Sequence, residues 1–465
     1  MSSGTGAAPV GAVSSAPPVM VSPSQQQFQQ SVPQGTASST PVALTLDDAI
    51  VRGLRANLGL LTSVQSSAQS RAQRLQALSA LLPTVTGSVQ ETAQQTNLAA
   101  LGFKKFPAFN IPLIVGPFSY TTAQAEANVP LFNWSNWQRY RGAKQLAKAS
   151  ELSLKDARDL VVLAVGNAYL QIIASGARVD ATQAQVNTAQ VLFNRASDQK
   201  KAGVVPGIDV LRAQVELQQQ QQTLVVQKNQ LEKDKLTLAR VIGLPIGQQF
   251  TVADPTPSLP LEAVGLDEAL TKAYSNRSDY RAAESQVKGA ELAVSAAKAA
   301  WYPTLGVSGY YGDQGPTLSN SHGVFSVTGS LNFNIFDGRR IRSEVQQREA
   351  DLNNARNQFQ NLKAQIDFDV RNALLDLKAS NEQVTVARSN ADLANQTLTQ
   401  AQDRFSAGVA DNLEVVQAQQ SVATASQNLI NALYSNNLAK VELARALGLA
   451  EEGVRAYFKQ NPEKH

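Results

Sequence analysis

In a chain without cysteine and with two histidines, His322 and His465, the side chains left to do chemistry are mainly carboxylates. A thiol nucleophile, a disulfide, a thiolate metal site and a lipidated cysteine anchor are all excluded. A histidine-based triad or multi-histidine metal centre has no residues to draw on. No catalytic, cofactor-binding or metal-binding residue is expected, and no cofactor. Two carboxylates nevertheless fall at matching places. Asp209 follows Ala202-Gly203-Val204-Val205-Pro206-Gly207-Ile208, and Glu414 follows Ala407-Gly408-Val409-Ala410-Asp411-Asn412-Leu413. Each acid lies near the start of a helical stretch, where a negative charge opposes the positive helix end.

That match is one part of a longer one. Leu46-Asp47-Asp48-Ala49-Ile50 returns as Leu266-Asp267-Glu268-Ala269-Leu270, and Pro83-Thr84-Val85 as Pro303-Thr304-Leu305. Val241-Ile242-Gly243-Leu244 returns as Ala446-Leu447-Gly448-Leu449. A period of roughly two hundred residues is too long for a solenoid repeat, which runs about 20–50 residues. The chain therefore reads as a duplicated module whose copies share one order: short helix, helix, strand, strand, very long helix, long helix.

Composition agrees with long helices. Aromatics are few, the net charge of +4 is small for 465 residues, and both signs are interspersed, so no nucleic-acid surface is implied. No stretch approaches about 18 consecutive apolar residues, so no transmembrane helix is expected. Residues 1–43 are rich in Ser, Pro, Gln and Ala and read as disordered. They lack a basic segment followed by an apolar one, so no signal peptide is recognised.

The expected organisation is a first repeat at 44–245, a linker at 246–263, a second repeat at 264–449 and a tail at 450–465. Pro83 and Pro303 mark switches from helix to strand, since proline removes a helix donor and pushes the preceding residue to extended geometry. Strands are expected at about 83–92, 122–132, 303–312 and 324–336. They alternate with period two. Val85, Gly87 and Val89 share a face, as do Ala123, Ala125, Ala127, Val129 and Leu131. In the second copy Leu305, Val307, Gly309 and Tyr311 oppose Thr304, Ser308 and Tyr310, while Phe325, Val327, Gly329, Leu331, Phe333 and Ile335 oppose Ser326, Thr328, Ser330, Asn332 and Asn334. Strands of about ten residues with apolar-out, polar-in alternation suit a membrane barrel with a wet lumen. A soluble hairpin resting one face on a helical core gives the same local pattern. Phe103, Phe106, Phe109 and Phe118 fit either a membrane-surface girdle or a loop packed on itself.

Long helices are expected at about 135–203 and 339–407, each on the order of 100 Å at 1.5 Å per residue. Ile366, Val370, Ala373, Leu377, Val384, Ala387, Ala391, Ala394 and Leu398 are spaced 4, 3, 4, 7, 3, 4, 3 and 4, a heptad seam with small knobs. Leu154, Ala157, Val161, Ala164, Ala168 and Ile172 repeat it in the first copy. Return helices follow at about 208–243 and 412–447, closed by Gly243 and Gly448. Four strands per chain are too few to close a barrel, so spanning strands would require two or more chains to share one.

The duplicated L-D-[DE]-A-[IL] helices, the [LY]-P-T strand entries, the A-G-V-x-x-x-[IL]-[DE]-V-[LV] turns and the paired [IL]-G-L ends resemble the TolC-like outer-membrane efflux proteins over about 44–450. The resemblance implies an α+β membrane protein: a homotrimer whose 12-stranded β-barrel in outer-membrane lipid continues as a long α-helical coiled-coil barrel across the periplasm. It implies a passive exit duct of a tripartite efflux or type I secretion system, served by a periplasmic adaptor (membrane fusion) protein and an inner-membrane pump of RND, ABC or MFS type. It places the helix turns at the periplasmic tip, with Gly203, Val204, Gly408 and Val409 at adaptor-docking positions. Asp209 and Glu414 match acidic constriction positions. Gln417 stands where a second acid occurs in the family, and Ala410 where a basic partner occurs. The competing reading is a soluble coiled-coil scaffold. An enzyme is the poorest fit, because neither a nucleotide loop nor a metal cluster is present.

Overall fold

In the computed structural model, residues 27–38, 40–100, 102, 112–203, 205–253, 265–407, 409, 412–451 and 453 are described. Their elements, in chain order, are β1 (Val42–Leu44), α1 (Leu46–Ala56), α2 (Leu58–Ser79), β2 (Thr84–Asn97), β3 (Ile114–Phe132), α3 (Trp134–Lys201), α4 (Gly207–Ile242), β4 (Phe250–Val252), α5 (Leu266–Asn276), α6 (Ser278–Lys298), β5 (Thr304–Thr317), β6 (Asn320–Asn332), α7 (Arg340–Ser406) and α8 (Asn412–Ala446). The chain divides into two compact units. One comprises residues 1–65, 153–279 and 362–465, the other 66–152 and 280–361.

The first unit is built on α3. Its Val161, Val162, Val165 and Tyr169 are almost wholly buried, packed with Leu44, Leu46, Ile50, Leu238 and Ile242. Each such aliphatic side chain contributes about 1.5–3 kcal/mol by leaving water. α3 also contains an 18-residue window of mean hydropathy 1.7, long and apolar enough by composition to cross a membrane, and half of that window is buried within the chain. The expectation of no such helix rested on unbroken apolar runs, of which there is still none of that length; the window qualifies on its average hydropathy, as a core helix also does. Thr45 starts α1, its hydroxyl accepting from Asp48 N–H at 3.2 Å.

The segment read as disordered is described over 27–38 and 40–43, where it packs on the rest of the unit. Phe28 is 3% exposed, the Asn57 side-chain amide donates to its carbonyl at 2.6 Å, and Val42–Leu44 pairs in parallel with Phe250–Val252. One buried aromatic and one strand partner more than two hundred residues away outweigh the local Ser/Pro/Gln composition. Residues 1–26 lie outside the described set. The same pairing puts a strand inside the expected linker 246–263, of which 254–263 are not described. In the expected tail, Ala450 is fully buried and Glu451 takes a bidentate contact from Arg158.

The paired [IL]-G-L ends have a geometric reason. Gly243 (φ +72°) and Gly448 (φ +73°) close α4 and α8 in the left-handed region, and Leu244 and Leu449 donate back to Ala239 and Ala444 at 3.0 and 2.9 Å. A Cβ on Gly243 would meet Ala56 Cβ at 2.4 Å, at the end of α1. On Gly448 it would meet Arg277 N at 2.7 Å, beside the end of α5.

The second unit holds a single antiparallel sheet in the order β2-β3-β5-β6, so the two expected hairpins are joined through β3 and β5. The strands run 14, 19, 14 and 13 residues; β2, β3 and β5 extend beyond their expected bounds into the segments read as loops, while β6 has the expected length but begins and ends earlier in the chain. β6 ends at Asn332, so exposed Phe333 and Ile335 follow the strand rather than lying in it. Beneath the sheet α3 and α6 cross closely: a Cβ on Gly289 would touch Leu146 at 3.1 Å, and Ser135 donates to the Ala296 carbonyl at 2.8 Å.

Candidate functional site at the sheet and the helix turns

Register brings the alternating residues together. Val85 lies opposite Ala127, Ala127 opposite Gly309, and Gly309 opposite Val327, so the apolar positions of all four strands fall on one face. Ala125, Tyr311 and Phe325 form the next rank. On the opposite face, Thr84, Asn128, Ser308 and Thr328 align, as do Thr86, Glu126, Tyr310 and Ser326. The apolar face is not a core. Val85, Val89, Tyr311, Phe325 and Val327 are each about 70% exposed or more. A soluble hairpin resting on helices would bury these side chains, so the sheet does not follow that alternative. β2 and β6 each pair with one strand among the described residues, leaving two open edges. Phe118 stacks on Tyr120 with ring centroids 6.3 Å apart, while Phe103, Phe106 and Phe109 lie outside the described residues.

The heptad seam leads to the turns. Ile366, Val370, Ala373, Leu377, Ala387 and Ala391 are buried, and the seam continues through Ala401 to Phe405. There Leu192 of α3, Ala401 and Phe405 of α7, and Val415 and Ala418 of α8 form one buried cluster. It fixes the start of α8 against the end of α7.

Both candidate acids occupy the first turn of a return helix. Asp209 is 8% exposed and its Oδ1 lies 3.5 Å from Arg212 Nη1, one turn along the same helix. Glu414 has a side chain 42% exposed, and its Oε1 lies 3.6 Å from Arg404 Nη1, in the last turn of α7. Gln417 is exposed on α8 and joins neither pair. Gly203 sits at φ +75° with open space around it, and Val409 is 71% exposed. Val204, Gly408 and Ala410 lie outside the described residues. The basic partners Arg212 and Arg404 were missed in the sequence. Their signal was the acid spacing: Arg212 stands three residues after Asp209, and Arg404 in the last turn before the second loop.

A second charged group, also unforeseen, lies in the same unit. Arg277, whose side chain is 6% exposed, reaches Asp279 at 2.7 Å and Asp369 at 3.2 Å. Arg445 reaches Asp156 at 2.5 Å. Burial pushes Asp159 up to about 6, with Arg445 pulling against it and Asp156 adding to it. These ionic contacts tie the end of α8 to α3, and the α5–α6 turn to α7.

Among known proteins, the family model described as outer membrane efflux protein matches residues 50–244 and 269–449. The chain is 24% identical over 409 residues to the pyoverdine export outer membrane protein OpmQ of Pseudomonas aeruginosa, covering 87% of this chain and 85% of that one. It is 25% identical over 401 residues to the probable efflux pump outer membrane protein TtgC of Pseudomonas putida, covering 82% and 77%. The solved outer-membrane channel OprN superposes with a TM-score of 0.75 at 18% identity, covering 90% of this chain and 98% of that one. The soluble-scaffold alternative has no support from any of these likenesses. A mostly helical chain with one exposed four-stranded sheet, matched in both halves by one family model, belongs to the outer membrane efflux protein family, the channels of outer-membrane efflux systems.

Proposed function

We propose that three copies of this chain close one barrel in the outer membrane and that each contributes two helix turns to a gate at the periplasmic end. The observation that carries this reading is the sheet: an exposed apolar face, a polar face behind it and two unpaired edges. Unpaired backbone groups are not tolerated in hydrocarbon, so the edges must meet those of other chains. Three chains would supply twelve strands from four each, enough for a water-filled passage, whereas about eight strands leave a filled interior. The two similar modules in each chain would then give six near-equivalent units around one pore.

Such a duct is passive. A pump in the inner membrane supplies the energy, an adaptor in the periplasm couples it, and the chain supplies a wet path. Asp209 and Glu414 at the turns would disfavour anions and hold cations, and Gly203 and Val409 lie where an adaptor hairpin would dock. Opening shifts the population of turn conformations, driven by adaptor contacts that favour the open one.

The absence of native cysteine permits a direct test. Single cysteines placed on β2 and β6 should cross-link the chain into a closed trimer under oxidation, and light scattering should give three chains per particle. A monomer or dimer overturns the assembly. For the gate, Glu414→Gln with Asp209→Asn should reduce block by divalent cations in planar bilayers, and unchanged block would sink the assignment of these acids.

A further inference from the structure

Above the turns, a cavity of about 220 Å³ opens between α3, α4, α7 and α8. Part of its lining is apolar, from Ala184, Leu398 and Val422, and part polar, from Glu216, Gln220 and Gln419. Two of the polar residues are deeply buried and poorly served. Glu216 is 4% exposed, and its oxygens accept from the Gln220 amide at 2.8 Å and the Gln420 amide at 3.4 Å, with no cationic side chain paired to it among the described residues. Gln419 is 7% exposed, and neither its oxygen nor its nitrogen has a protein partner. Buried carboxylates are ordinarily paired with a cation, and buried amides are ordinarily hydrogen-bonded. An occupant that serves Glu216 and the Gln419 oxygen therefore brings a positive charge and hydrogen-bond donors at one end and an apolar body at the other, and the Gln419 nitrogen, a donor, is left for water.

Size narrows the choice. A cavity of about 150 Å³ lined by apolar side chains accepts benzene, so this one has room for a ring and an aminomethyl group. We propose that the cavity is a binding site for a small primary ammonium compound of benzylammonium size. Glu216 is its counter-ion, Gln419 Oε1 accepts one of its N–H groups, and its ring lies against Ala184, Leu398 and Val422. Water alone would satisfy Gln419 but would leave Glu216 without a counter-charge. The site lies on the two return helices that carry Asp209 and Glu414, yet it stands whether or not the turns gate the duct.

The test titrates the full-length, detergent-solubilised protein with benzylammonium chloride, with benzyl alcohol as the neutral isostere, by calorimetry and saturation-transfer NMR. Benzylammonium should bind about tenfold more tightly, since a charge-assisted hydrogen bond is the stronger kind. Glu216→Gln should erase that preference while leaving benzyl alcohol binding in place, which also shows that the variant is folded. Ala184→Leu and, separately, Val422→Phe should fill the cavity and abolish binding of both. Equal affinities in the unmodified protein, binding that survives both filling variants, or no binding of either probe would overturn the proposal, the last meaning a cavity that holds solvent only.

Discussion

Arg404 Nη1 lies 3.6 Å from Glu414 Oε1, tying the last turn of α7 to the first turn of α8 across the loop between them. The offset of 205 residues that carries Ala202 onto Ala407 carries Gln199 onto Arg404 and Arg212 onto Gln417. The two turns have therefore exchanged the location of their cation. In the first copy the arginine is on the return helix, 3.5 Å from Asp209, and Gln199 keeps a buried, unpartnered oxygen. In the second the arginine is on the descending helix, and glutamine occupies the return. An arginine within one helix constrains nothing between helices, whereas Arg404 joins two.

Moving the cation should move the constraint. Arg404→Gln is expected to loosen the second turn, and adding Gln417→Arg should neutralise Glu414 again without reconnecting the helices. Both side chains of the native pair are half-exposed, so the link contributes at most about 1 kcal/mol per chain, or about fivefold in the closed-to-open ratio. Planar-bilayer open probability measures it. If the double variant returns to the original open probability, charge at the turn matters and the interhelical link does not.

The buried ionic group makes stability depend on pH. With Asp159 raised to about 6 from an ordinary 3.8, the folded chain holds a proton there that the unfolded chain has released. Its stabilising contribution is complete below about pH 4 and is lost as pH rises through about 6. Asp159→Asn should therefore stabilise the protein at pH 8, by roughly 1–2 kcal/mol after allowing for solvent screening, and change nothing at pH 4. Thermal unfolding at the two pH values decides it. A gain of equal size at both would assign the effect to packing.

Much of this architecture was legible because its signals are local and repeated. Pro83 and Pro303 announced the strands, period two announced their faces, and the seam from Ile366 to Leu398 announced the long helix. What escaped depends on distant partners. Nothing near Phe28 or Val42 foretells Phe250, and the ordered segment was hidden behind its Ser/Pro/Gln composition. The ion pairs escaped for a related reason: Arg445 and Asp156 are unremarkable surface types until packing of α8 on α3 removes their water. The acids of the turns were legible from the duplication, but their arginines were not, because the copies differ there.

The sheet faces predict opposite responses at neighbouring positions. Val327 lies on the exposed apolar face and Thr328 on the polar face. Val327→Arg should cost about 2–4 kcal/mol if the residue lies near the bilayer midplane and should lower the yield of heat-modifiable oligomer in outer-membrane fractions. Thr328→Arg should assemble normally and alter ion selectivity instead. Equal losses from both would mean that the sheet is not lipid-facing on one side only.

Two glycines with the same backbone conformation separate conformation from contact. Gly203 and Gly448 have φ of +75° and +73°, but a Cβ on Gly203 meets nothing within 4 Å, whereas on Gly448 it falls 2.7 Å from Arg277 N and 2.9 Å from its Cα. An alanine at Gly203 carries only the left-handed penalty, about 1–2 kcal/mol. At Gly448 the same penalty is joined by displacement of the Arg277 backbone, and Arg277 holds Asp279 and Asp369 in place. Gly448→Ala should thus destabilise by about 2 kcal/mol more than Gly203→Ala in denaturant unfolding. Adding Arg277→Ala should bring no comparable further loss if the first change has already broken that contact. Equal costs for the two glycine variants would show that the turn geometry alone keeps glycine at the end of α8.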